Sequence, residues 1–199
     1  MVTTIIFDLA GVIVNTTKGV EKFIEPLLGL NGVDIYPKLK GKEFQDFIKG
    51  KISEEEYWNK IILKNDWKTT SNELKKSIRE HFHEIEGIKG ILEKLKKKGF
   101  KLGLLSGHTK EWTEFLEHKF NFEKYFDNIL YSYQLGYTKP DIQFYKDIIE
   151  KMKVNPKDCI YLDDHKQYLE PAKELGMKII HFTSAEQFKK ELFKLGILI

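Results

Sequence analysis

Thr3-Thr4-Ile5-Ile6-Phe7-Asp8-Leu9-Ala10-Gly11 is a β-branched and apolar run that stops at a carboxylate and then reaches a glycine. A short run with no polar alternation reads as a strand buried on both faces, as in a parallel sheet. The strand is expected over residues 3–7, and Gly11 lets the chain turn sharply just beyond it. In an open parallel sheet, ligands bind outside the carboxyl ends of the strands, so Asp8 is expected at the sheet's functional rim.

The same pattern recurs down the chain. Strands are expected at 101–105, 128–132, 159–162 and 178–181. Helices fall between them, at 88–98 closed by Gly99, near 110–120, at 142–152, at 168–175 ended by Gly176, and from Ser184 onward. Strands alternating with helices of this length predict parallel βαβ units with right-handed crossovers. Residues 16–84 differ, because helical segments follow one another there with no convincing buried strand. Ser53-Glu54-Glu55-Glu56 is a capping box, and Tyr57, Trp58, Ile61 and Ile62 continue it as an apolar stripe at helical spacing. Thr70-Ser71-Asn72-Glu73 starts another helix in the same way. The expected organisation is an α/β core from residues 1–15 and 85–199 carrying a small all-helical insertion, 16–84. Trp58, Trp67 and Tyr57 are expected in the insertion's own core.

A chain of 199 residues fits one such domain with a modest insertion. Its 41% hydrophobic and 32% charged content reads as soluble and globular. No apolar run approaches the roughly 20 residues a membrane span needs. The N-terminus lacks the features of a secretory signal, so a cytoplasmic location and no membrane partner are expected. The single cysteine, Cys159, excludes an intramolecular disulfide and sits in an apolar run as a core thiol. Net charge is +3, Arg79 is the sole arginine, and lysine alternates with glutamate; this is a solvated surface, and no nucleic-acid partner is expected.

Four further features follow expected strands: Ser106 with Gly107, the Lys139-Pro140 pair, and the adjacent carboxylates Asp163 and Asp164. Carboxylates converging with Asp8 at one rim need a cation, and hard oxygen ligands favour Mg²⁺ bridging a carboxylate to a substrate phosphate. Ser106, with the N–H groups of Gly107 and His108, can donate to a phosphoryl oxygen, and Lys139 adds positive charge. Asp8 is then placed to attack phosphorus and form an aspartyl-phosphate that water hydrolyses.

The chain resembles the haloacid dehalogenase-like (HAD) hydrolases, mostly Mg²⁺-dependent phosphatases. The resemblance covers the whole chain. It rests on residues 5–12, on Leu104-Leu105-Ser106-Gly107, on residues 136–141, and on Tyr161-Leu162-Asp163-Asp164 leading to residues 172–177. All four pieces stand in order and at family spacing. The resemblance implies a Rossmann-like parallel sheet with helices on both faces and a helical cap placed after the first motif. Residues 50–58 resemble caps of the branch that includes sugar-phosphate phosphatases. By the same resemblance Asp8 is nucleophile and metal ligand, Asp164 the opposite ligand, and the main-chain carbonyl of Ala10 a third. Asp163 holds metal-bound water and Lys139, while Ser106, Gly107 and Lys139 bind the phosphoryl group. The expected function is Mg²⁺-dependent hydrolysis of a small phosphorylated metabolite such as a sugar phosphate.

Three positions depart from the family pattern. Ala10 stands where most family phosphatases carry an acid/base aspartate, Tyr168 where relatives often place asparagine, and Gly107 where asparagine is common. A positioned acid or base contributes about 10²–10⁴-fold, so Ala10 predicts weakened or altered turnover. Two alternatives stay open: a catalytically impaired phosphate- or partner-binding protein, and a C–P hydrolase resembling phosphonoacetaldehyde hydrolase with a cap lysine (Lys38, Lys42, Lys49 or Lys51) as Schiff base. Keeping both Asp163 and Asp164 argues against metal-free dehalogenase chemistry. His108 and His165 are candidates to replace the missing acid. His81 and His83 would not meet on one helix, which argues against a zinc site.

Overall fold

The computed structural model describes residues 2–199. Its centre is a five-stranded sheet of β1 (Thr4–Phe7), β4 (Lys101–Ser106), β5 (Asn128–Tyr131), β6 (Cys159–Asp163) and β7 (Lys178–His181), in the order β5-β4-β1-β6-β7. Every neighbouring pair is parallel. Between them run α6 (Ile88–Lys97), α7 (Lys110–Phe120), the short α8 (Ser132–Leu135), α9 (Ile142–Met152) and α10 (Glu170–Glu174), with α11 (Ala185–Lys194) after β7.

The period of two along β1 separates the two faces. Ile5 and Phe7 pack into a cluster with Leu92 and Leu95 of α6 and Phe188 of α11. Ile6 points the other way, to Phe144, Tyr145 and Ile148 of α9. The result is the Rossmann-like arrangement, a parallel sheet with helices on both faces, and all of β1 is buried.

Residues 16–84 hold α1 (Glu21–Leu28), α2 (Gly32–Ile35), α3 (Lys42–Ile48), α4 (Glu54–Asn65) and α5 (Ser71–His81). Both capping boxes form: Ser53 Oγ accepts from Glu56 N at 3.2 Å and Thr70 Oγ1 from Glu73 N at 3.3 Å, each glutamate reaching back. Tyr57, Trp58 and Trp67 are buried, and Tyr57 Oη donates to Leu39 O at 2.6 Å. These side chains and those of the α6 face belong to one apolar cluster.

The structure corrects several expected bounds. Ser106 and Asp163 are the last residues of their strands, whereas Ser132 leaves β5 and opens a helix. The helix expected over 168–175 is a 3₁₀ turn at Lys166–Tyr168 followed by the shorter α10. Pro171 in its first turn explains the start, since proline there costs no hydrogen bond. A two-stranded antiparallel ribbon, β2 (Val14–Asn15) with β3 (His83–Glu84), stands at the two ends of the helical segment. Two-residue strands carry no periodicity, so the sequence pattern held no trace of it. His81 and His83 are not on one helix: Phe82 turns extended, and their rings lie 5.5 Å apart.

Candidate active site

Asp8 follows β1 and is tied across to β6, its N–H donating to Leu162 O at 3.0 Å. The next residues wind into one tight turn, with Val12, Ile13 and Val14 N–H groups all reaching Leu9 O (3.3, 2.9 and 3.1 Å). Ala10 forms an isolated bridge with Val14 inside this turn. Gly11 is required twice over. Its φ is +80°, and a Cβ there would stand 2.5 Å from Asp164 Cγ, so the turn and the Asp164 carboxylate touch only because the side chain is absent.

Lys139 is the hub. Its Nζ lies 2.7 Å from Asp8 Oδ1 and 2.6 Å from Asp163 Oδ2, and all three side chains are buried. Asp163 is fully committed: Tyr161 Oη also donates to Oδ2 at 2.7 Å, and His165 N donates to Oδ1 at 2.8 Å. On the other side of β1, Ser106 closes β4 and is 1% exposed, yet its Oγ has no hydrogen-bond partner. Gly107 backs onto Thr138, whose Oγ1 occupies the space a Cβ would need; the phosphate-binding pieces expected from distant stretches are therefore neighbours.

Asp164 is held differently. His165 Nδ1 lies 2.8 Å from its Oδ1. Asp163, Asp164 and His165 each bring one donor atom within 4.8 Å of the others; Asp8 stands outside that close set, facing Lys139. His165 is exposed, and its partner carboxylate Asp164 raises its pKa above the usual histidine value. His108 takes a different place: buried, it accepts from Thr109 N through Nδ1 at 3.0 Å, and its Nε2 lies 3.3 Å from Thr16 Oγ1.

The site is electrostatically crowded. Burial, with Asp163 and Asp164 nearby, pushes the Asp8 carboxyl up to about 7, against the opposing pull of Lys139. Burial works to lower the Lys139 pKa, but Asp163 and Asp8 outweigh it and hold the ammonium above lysine's ordinary value. One fixed cation thus faces more carboxylate than it can neutralise. Burial pushes the Cys159 thiol up to about 11, which fits an inert core residue.

The sequence matches the description "Haloacid dehalogenase-like hydrolase" across residues 5–182. The chain belongs to the haloacid dehalogenase-like hydrolase family. Among curated relatives of this family, it is 29% identical over 153 residues to flavin mononucleotide hydrolase 1 of Arabidopsis thaliana, covering 76% of this chain and 61% of that protein's length. It is 28% identical over 207 residues to D-ribitol-5-phosphate phosphatase of Bacteroides thetaiotaomicron, covering 96% of this chain and 97% of the other. The fold superposes with a TM-score of 0.81 on a HAD family enzyme of the same bacterium in complex with magnesium and inorganic phosphate; identity is 20%, and 96% and 99% of the two chains are covered. No helix among the described residues is long and apolar enough to cross a membrane.

Sequence reasoning missed the tyrosines of the site. Tyr161 and Tyr168 both face Lys139, with Nζ 5.9 and 5.2 Å from their ring centroids. Their signal in the sequence is weak: Tyr161 lies in an apolar strand run, and Tyr168 stands out only as a departure from the family's asparagine.

Proposed function

We propose that this HAD hydrolase is a Mg²⁺-dependent phosphomonoesterase acting on a small phosphorylated metabolite, with residues 16–84 as a cap over the rim of the sheet. The observation that carries the reading is Lys139 Nζ bridging Asp8 Oδ1 and Asp163 Oδ2, at 2.7 and 2.6 Å, together with the buried and unpartnered Ser106 Oγ at the end of the adjacent strand β4. The residues fit a divalent cation: the donors are hard oxygens, the carboxylates exceed the positive charge present, and Gly11 leaves Asp164 its place against the turn after Asp8. Asp8, Asp164 and the Ala10 carbonyl would hold it. When bound, it supplies charge that offsets the carboxylates and the phosphoryl oxygens.

The chain's own groups then divide the work. Ser106 Oγ and the Gly107 N–H donate to the phosphoryl group, and Lys139 adds its ammonium. An Asp8 oxygen attacks phosphorus, the ester P–O bond breaks, and the alkoxide takes a proton from water because Ala10 has none to give. Water next attacks the aspartyl-phosphate, releasing phosphate and restoring the Asp8 carboxylate. The cap excludes bulk water and selects the substrate. The two curated relatives act, by their names, on flavin mononucleotide and D-ribitol 5-phosphate, which share a ribityl 5-phosphate; this supports a phosphorylated polyol or sugar as substrate class.

Turnover of an aryl phosphate with Mg²⁺, absent without the metal and abolished in Asp8→Asn, is the expected result. Ala10→Asp should raise the rate on alkyl phosphates by about 10²-fold or more while changing the aryl ester little, since a good leaving group needs no proton. Binding of inorganic phosphate with no turnover of any ester would instead support the impaired relative that Ala10 suggests. The C–P reading has less support: Lys38, Lys42 and Lys51 are exposed and lack the desolvation a Schiff-base lysine needs, leaving only the half-buried Lys49. Borohydride trapping with phosphonoacetaldehyde is expected to give no adduct.

A further inference from the structure

Lys139 is held on one side by carboxylates and on the other by aromatic rings. Its ammonium has three N–H groups, and two are taken by Asp8 and Asp163 at 2.7 and 2.6 Å. The Tyr168 centroid lies 5.2 Å from Nζ and the Tyr161 centroid 5.9 Å, both within reach of a cation–π contact. With these neighbours Lys139 is only 7% exposed. One N–H remains for a substrate oxygen.

The rings are themselves braced. Tyr145 and Tyr161 meet edge to face at 5.3 Å, and Tyr145 Oη donates to Tyr168 O at 2.7 Å. Tyr168 N–H in turn donates to His165 O at 3.0 Å, closing the 3₁₀ turn that carries the acidic loop, and the His165 ring lies 5.4 Å from the Tyr168 ring. Tyr168 is half-buried and belongs to neither apolar cluster, so core packing does not explain where its ring sits. The acidic loop at this position is anchored through the Tyr168 backbone, which frees the side chain to cover the lysine.

We infer that Tyr168 is a positioning residue whose ring face seats the Lys139 ammonium, aiming its remaining N–H at the phosphoryl oxygen. The contact depends on the ring and not on the hydroxyl. Tyr168→Phe should therefore behave as the parent, and Tyr168→Leu should lose the effect. The inference rests on the phosphatase reading of Lys139, but one of its two readouts does not.

The experiment compares parent, Tyr168→Phe and Tyr168→Leu by calorimetric binding of inorganic phosphate with Mg²⁺, and by NMR of the lysine ε-methylene groups, with Lys139→Arg assigning the resonance. The Lys139 ε-methylene protons are expected upfield in parent and Tyr168→Phe from the Tyr168 ring current, and displaced downfield from the parent position in Tyr168→Leu, where only the farther Tyr161 ring, 5.9 Å from Nζ, remains. Phosphate affinity is expected to fall about 3- to 30-fold in Tyr168→Leu and to hold within about 2-fold in Tyr168→Phe. Equal behaviour of the leucine variant and the parent overturns the inference, as does a phenylalanine variant that loses as much as leucine. Should the parent neither bind phosphate nor turn over an ester, the phosphatase reading fails and the NMR comparison alone decides the seat. Tyr168→Met repeats the comparison if the leucine variant folds poorly.

Discussion

His108 shows how much a single buried ring can report. Its Nδ1 accepts the Thr109 N–H at 3.0 Å, so the neutral ring carries its proton on Nε2, toward Thr16 Oγ1. Burial lowers its pKa to about 4, and the nearby Lys139 charge acts in the same direction. A histidine whose folded pKa is depressed stabilises the fold above its unfolded value, near 6.5, and that contribution drains away as pH falls toward about 4. Its share of the acid limb should approach about 1.4 kcal/mol per pH unit inside that window. His108→Asn is therefore expected to flatten the stability curve between pH 6.5 and about 4, measured by urea denaturation at several pH values. Parallel curves for parent and variant would sink the assignment. The same burial makes His108 a poor candidate for the acid that the proposed reaction lacks at Ala10.

Two turns can be tested as elements. Gly11→Ala faces both a φ of +80° and a clash with the Asp164 carboxylate. It should cost about 1 kcal/mol or more in stability and weaken Mg²⁺ binding, read by thermal melting and calorimetry. Unchanged Mg²⁺ affinity would mean that the Asp164 carboxylate need not rest against the Asp8 turn. At the start of α4, Ser53→Ala removes a capping partner of Glu56 and should lower stability by about 1 kcal/mol. Its aryl phosphatase rate should be unaffected, which separates local helix stability from the chemistry at the sheet rim.

Across the whole molecule, a buried carboxylate joins the helical segment to the α/β core. Glu54 pairs with Arg79 at 2.6 Å and accepts the indole N–H groups of Trp112 of α7 at 2.8 Å and Trp58 at 3.4 Å. Ser132 adds a second tie, donating to Ile48 O across the same boundary. At Gly50 the backbone approaches so closely that a Cβ would stand 2.8 Å from Tyr133 O. Glu54→Leu leaves the guanidinium and both indoles without their acceptor and should cost about 3 kcal/mol. Glu54→Leu combined with Arg79→Met should recover much of that loss, since the unpaired charge is gone. The denaturation midpoints of the two variants check this.

The strand ends were readable from residue order alone. Burial on both faces leaves unbroken apolar runs, and a polar residue that ends such a run must stand at the rim, as Asp8, Ser106 and Asp163 do. The Lys139-Pro140 pair lies beyond another such run, and Asp164 adjoins Asp163 at the same strand end. Strand bounds differ by one residue where β4 extends into Ser106 and β6 into Asp163, and the ribbon of Val14–Asn15 with His83–Glu84 is invisible in the sequence because two residues have no period. The partners of each side chain lay beyond any local pattern. The sheet order β5-β4-β1-β6-β7 sets β6 beside β1, and that adjacency brings Asp163 to Lys139 near Asp8 and turns Tyr161 and Tyr168 toward the ammonium. Glu54 meets Trp112 only once two separately patterned helices pack. Periodicity along a chain records which face is buried; only packing between elements chooses what it is buried against.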